Sequence, residues 1–187
     1  MRRLPIIVVF KDERIEQIRE VRRRLEEIPR DFKELMKRVL KEDRDRWVEG
    51  KSRFETLLTR IAEAREEFRR WYEGNVERMK KELQMLRELF KDDEEILPRV
   101  DEWATRLEEI ERGFERVEKE TAELLDRIFN VRYEELRRFF LYTGEILNAP
   151  LRLLAVMSLA SELVTLSLEI SAFLKGYEAF QDRPIVI

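Results

Sequence analysis

The amino-acid sequence predicts an all-α fold: an elongated antiparallel coiled-coil hairpin, thickened at one end into a three- or four-helix bundle, with short extended segments at both termini. Three observations lead there. Val100, Trp103, Leu107, Ile110, Phe114, Val117, Thr121, Leu124, Ile128 and Val131 alternate spacings of three and four without a slip. That is an apolar seam on a long helix, which must be buried against another helix. Charged residues make up 42% of the 187, with 5 Gly and 5 Pro, a profile of long solvated helices rather than of an α/β enzyme. Finally, residues 151–174 carry only Arg152, Glu162 and Glu169 as charges. A helix apolar nearly all round has to be enclosed, by a bundle or by a membrane.

The elements follow in order, as one elongated domain over 1–187. Residues 1–10 form an extended arm, because Pro5 precedes a run of β-branched residues. Asp12 caps a first helix over 12–28, with Ile15, Ile18, Val21, Leu25 and Ile28 on one face. Pro29 ends it, since a proline loses a helix hydrogen bond and clashes one turn back. A long helix over 31–91 comes next, with kinks allowed at Gly50 and Gly74. The sevenfold spacing of Trp47, Phe54, Ile61 and Phe68 across Gly50 favours one helix over several. The acidic, proline-containing segment Lys91–Pro98 is the turn, and the seam helix occupies 99–147 up to Pro150. An apolar helix over 151–177 and an extended tail over 181–187 complete the chain. Helix 1 and the 151–177 helix are expected to thicken the end of the hairpin away from the turn.

Composition excludes much chemistry. There is no Cys and no His, which removes the thiolate nucleophile, the thiolate zinc site and the commonest general base. No Gly-rich phosphate loop or nucleophile elbow appears. The expectation is a protein that is not an enzyme, with no catalytic, cofactor-binding or metal-ligating residues and no small-molecule substrate. Heavy use of charged helix formers also fits a thermophilic source. The N-terminal apolar run is too short for a signal-peptide core, so the expected location is cytoplasmic.

The expected function is that of a structural scaffold acting through helix packing and self-assembly, as a homo-oligomer or with a helical partner. Leu153, Val156, Leu159, Leu163, Leu166 and Ile170 are candidates for the oligomer interface, with Ala155, Ala160 and Ser167 allowing close approach. Ser158, Ser161, Glu162, Thr165 and Glu169 form a narrow polar stripe on the same helix. One alternative is a membrane-surface or membrane-remodelling protein using the 151–177 helix, whose length approaches that of a transmembrane span. A second is an accessory nucleic-acid-binding subunit. The first 70 residues carry 21 basic and 16 acidic side chains and the rest 17 and 25. Arg19, Arg22, Arg23, Lys37, Arg38 and Lys41 could then contact a polyanion. The ends, Ile6-Ile7-Val8 and Ile185-Val186-Ile187, are short strands with free edges. They pair with each other, dock on a neighbouring subunit, or are simply frayed termini. Coiled-coil scaffolds and helical-hairpin membrane remodellers resemble this outline in architecture only.

Overall fold

The computed structural model describes the backbone of residues 7–8, 12–46, 53–130, 145–181 and 185–186, and the side chains of 12–39, 59–126 and 151–181. Four helices make an all-α bundle: α1 (Ile15–Arg46), α2 (Arg53–Leu89), α3 (Leu97–Asn130) and α4 (Glu145–Gln181). Two-residue strands β1 (Ile7–Val8) and β2 (Ile185–Val186) flank them.

α1 does not stop at Pro29, which lies inside it. The reason is visible in the side chains. Ile28, Phe32, Leu35 and Val39 carry the apolar spacing across the proline, and Ile18, Val21, Leu25, Ile28 and Leu35 are all completely buried. Each such burial contributes roughly 1.5–3 kcal/mol, against about 3 kcal/mol for one interior proline. Packing wins. The 31–91 helix is likewise two helices: residues 31–46 belong to α1, and α2 begins at Arg53. Gly50 falls between them, outside the described residues. Gly74 interrupts nothing, because α2 passes straight through it.

Direction is read from the contacts. Arg14 just before α1, and Arg24 and Phe32 within it, meet Leu89, Glu82 and Trp71 of α2 in turn. Arg87, Lys80 and Tyr72 of α2 meet Asp101, Glu111 and Phe114 of α3. Trp103 and Gly113 of α3 meet Phe173 and Leu159 of α4. Each neighbouring pair is therefore antiparallel, and α4 closes the ring against α1 while also touching α2 across the diagonal. Helices of 32–37 residues are about 48–56 Å long. α1 starts and α4 ends at the turn, with Arg14 at Leu89 and Phe90 at Tyr177, and both run alongside α2 and α3 rather than thickening only the end away from the turn. This follows from α1 continuing past Pro29, which makes it comparable in length to α2.

The turn is held locally. Asp93 Oδ1 accepts the backbone N–H of Ile96 at 3.0 Å and of Glu95 at 3.2 Å, capping α3. Pro98 then sits in the first helical turn, where its missing N–H costs nothing. Of the seam, Val100, Trp103, Leu107, Ile110, Phe114 and Leu124 are buried and Val117 half-buried. The Ile128 side chain and Val131 lie outside the described residues, as do residues 131–144. α4 starts at Glu145, so residues 145–147 belong to it rather than to the seam helix.

The two extended ends pair with each other. β1 and β2 are antiparallel, with Ile7 opposite Val186 and Val8 opposite Ile185. Ile6 and Ile187 lie outside the described residues.

Candidate interaction surface

The core takes the side of α4 that the sequence reading assigned to an oligomer interface. Val156, Leu163, Leu166 and Ile170 are completely buried within the single chain, as are Ala160 and Ser167. Leu153 and Leu159 are half-buried against the same core. The four completely buried ones are not free for a second subunit. The signal that could have corrected this was already legible. The stripe of Ser158, Ser161, Glu162 and Thr165 marks the solvent side, and the six candidates lie opposite it at 100° per residue.

The outward face of α4 consists of Leu151, Leu154, Ser158, Ser161, Glu162, Thr165, Leu168, Ala172, Lys175, Gly176, Ala179 and Phe180, all exposed. Leu151 is 61% exposed, Leu154 57%, Leu168 50% and Phe180 69%. These are four of the five large apolar side chains exposed among the described residues, Met85 being the fifth. The hydroxyls on the face bond their own helix: Ser161 donates to Met157 O at 2.9 Å and Thr165 to Ser161 O at 3.0 Å. Such back-bonding lowers the demand of a hydroxyl for water. The other helices present a different surface, laced with ion pairs such as Arg69–Glu66, Arg87–Asp101 and Lys37–Glu34.

The basic residues of α1 do not form an open cationic patch. Arg19 pairs with Glu16 and Glu178, Arg22 with Glu178 and Glu26, and Arg23 with Glu20. Lys37 pairs with Glu34, and Arg38 reaches Glu67 at 3.6 Å. The Lys41 side chain lies outside the described residues. Acidic side chains one turn away on α1, and Glu67 and Glu178 on the neighbouring helices, hold these basic groups in ion pairs.

At the turn end a polar cluster ties three helices together. Asp12 Oδ1 accepts the Arg14 backbone N–H at 2.9 Å, capping α1. Asp12 Oδ2 accepts the Tyr177 hydroxyl at 2.7 Å, and Arg14 Nη1 donates to Leu89 O at 2.8 Å. Phe90 stands edge-on to Tyr177 at 5.3 Å. The Arg14 guanidinium lowers the Asp12 pKa to about 2, aided by the Tyr177 hydroxyl. Burial, then the Asp12 bond, pushes Tyr177 up to about 12. No sequence signal links residues 165 positions apart, so only Asp12 was legible, as a cap. Glu82 was not singled out at all. It is 3% exposed and held by Arg24 at 3.2 Å. Burial raises its pKa.

Neither groove between α2 and α3 assembles reactive groups. One of about 420 Å³ is lined by Lys80, Leu83, Arg87, Val100 and Leu107, and another of about 270 Å³ by Tyr72, Glu77, Glu111 and Phe114. No nucleophile–base pair stands in either. Among the described residues no group of three or more Asp or Glu is placed to hold a metal ion. Leu151–Gln181 is long and apolar enough to cross a membrane, with mean hydropathy 1.7. Comparison with protein-family models, with curated proteins and with solved structures returned no match.

Proposed function

We propose that this protein is a non-catalytic helical scaffold that works by helix packing and self-assembly, with the outward face of α4 as its contact surface. One observation carries the reading. The exposed large apolar side chains gather on that face, whereas the exposed positions of the other helices are predominantly charged. Exposed large apolar side chains gathered on one face of a domain often mark an interface. Light scattering across a concentration series tests it. The expected result is a concentration-dependent rise above the 22.9 kDa of one chain, abolished by Leu154→Glu with Leu168→Glu. A monomer at every concentration overturns it.

The length and hydropathy of Leu151–Gln181 favour a second reading, a membrane-surface protein. Against insertion, the residues that make this stretch apolar, including Val156, Leu163, Leu166, Ile170 and Leu174, form the core. Inserting α4 would strip them from the bundle and expose the inner faces of α1–α3. Flotation with liposomes distinguishes the two: recovery of the folded protein with the lipid favours the membrane.

A further inference from the structure

We propose that the groove between α2 and α3 at Tyr72 and Phe114 is a binding site for an extended organic polycation, a linear aliphatic polyamine. The groove holds about 270 Å³. Its floor is apolar, formed by Val76 and by the Tyr72 and Phe114 rings stacked at 3.5 Å. Its walls are acidic. Glu73 and Glu77 come from α2, and Glu111, Glu115 and Glu118 from α3, against the single lining cation Arg69. The site lies away from α4 and does not depend on the self-assembly reading.

Acidic walls alone do not make a site; the pairing pattern and a buried hydroxyl do. Ion pairs cross from α2 to α3 at the two ends of the groove, Lys80–Glu111 nearer the turn and Arg65–Glu118 farther from it. Between these bridges no further pair joins the two helices among the described residues. Arg69 is held by Glu66 and Glu73 of its own helix, and Glu115 has no cation among the described residues. Carboxylates of α2 therefore share the groove with a carboxylate of α3, and like charges repel. Tyr72 is 4% exposed, and its hydroxyl is buried with no hydrogen-bond partner. Glu111 and Glu115 act on that hydroxyl without bonding it: burial first, then these two charges, hold its pKa above the ordinary 10. Glu118 Oε2 is likewise buried and unbonded. Leaving buried polar groups unbonded costs free energy. Ammonium groups carry only donors, which is what the phenol oxygen and both carboxylates lack. A metal ion fits less well, because it draws several oxygens to about 2.0–2.6 Å and no three carboxylates among the described residues are so placed. Charges spaced along a chain suit separated carboxylates, and the methylenes between them cover Val76 and Phe114.

The test is calorimetric titration of the full chain with spermidine at neutral pH and low salt. One saturable site is expected, weakening as salt rises. Glu115→Gln is expected to lower the affinity about tenfold, the loss of one charge-assisted bond. Tyr72→Phe is expected to lower it about fivefold. Glu115 is exposed and the Tyr72 hydroxyl is unbonded, so both variants keep the bundle, which thermal unfolding verifies. Glu102→Gln removes the same charge from an exposed position of α3 outside the groove and is expected to leave binding unchanged. Absence of saturable binding overturns the proposal. Equal effects of Glu102→Gln and Glu115→Gln also overturn it, as does displacement of spermidine by equimolar Mg²⁺, since either marks diffuse attraction to an acidic helix. Wild-type affinity in Tyr72→Phe overturns the site as placed. Tighter binding of a tetralysine peptide than of spermidine makes the occupant a protein segment and overturns the small polyamine.

Discussion

At the residue scale two carboxylates, half-buried Asp12 and buried Glu82, respond to pH with opposite sign. Asp12 ionises more readily in the fold, from an ordinary 3.8 down to about 2. Its contribution is present above about 4 and is lost as pH falls from there to about 2, a change of about 2 kcal/mol. Asp12→Asn should remove this dependence and lower the melting temperature at neutral pH, as thermal unfolding between pH 2 and 7 would show. Glu82 is the reverse case. Burial raises its pKa, so its neutral form suits the fold, and stability is lost as pH rises past its ordinary value of 4.5. Its Oε2 has no hydrogen-bond partner among the described residues. Replacing a half-satisfied buried carboxylate with an apolar side chain is often stabilising. Glu82→Leu should therefore raise the midpoint of urea unfolding at pH 7, with about 1 kcal/mol expected.

At the scale of elements, prolines and glycines do not act where local rules place them. Pro29 lies within α1, so the carbonyl of Leu25 lacks its usual helical donor. Pro29→Ala restores that bond and should stabilise by about 1–2 kcal/mol, less than the full helix-interior difference because the unfolded chain also gains freedom. Gly113 of α3 faces the Leu159 side chain of α4. A Cβ there would come within 3.1 Å of Leu159 Cδ2. Gly74 has open space. Gly74→Ala should stabilise by about 0.5–1 kcal/mol. Gly113→Val, though it also removes a helix glycine, should destabilise because its branches meet Leu159. Equilibrium unfolding of the two variants side by side decides this: stabilisation by both would show that α3 and α4 are not packed this closely.

For the whole molecule, the up-down-up-down course brings both chain ends to the turn end, where β1 pairs with β2. A two-residue ladder is marginal by itself, so its value is to tie the start of α1 to the end of α4. Deleting residues 183–187 should lower the melting temperature by a few degrees and leave the oligomeric state unchanged. Loss of assembly at unchanged stability would show that the tail docks on a neighbour instead. The ion pairs Arg106–Glu169 and Arg152–Glu120 between helices lie at the bundle surface and add little each, whereas Arg65–Glu118 is largely buried. The apolar core across all four helices holds the bundle.

Local pattern determined the helical class, the seam from Val100 to Leu124, the turn at Asp93–Pro98 and the enclosed character of α4. Each rests on periodicity or turn chemistry within one segment, which a sequence carries in full. Tertiary structure decided three things. Pro29 is tolerated because Ile28 and Leu35 are buried on both sides of it, a gain no propensity contains. The heptad phase shared by Trp47, Phe54, Ile61 and Phe68 does not make one helix. Two helices of an up-down bundle address the same core, so their phases can agree across a reversal. And the neighbours of α4 decided how much of it stays uncovered. The stripe of Ser158, Ser161, Glu162 and Thr165 marks its solvent side in the sequence, but only packing against α1, α2 and α3 sets which apolar residues beside that stripe, Leu151, Leu154, Leu168 and Phe180, remain exposed.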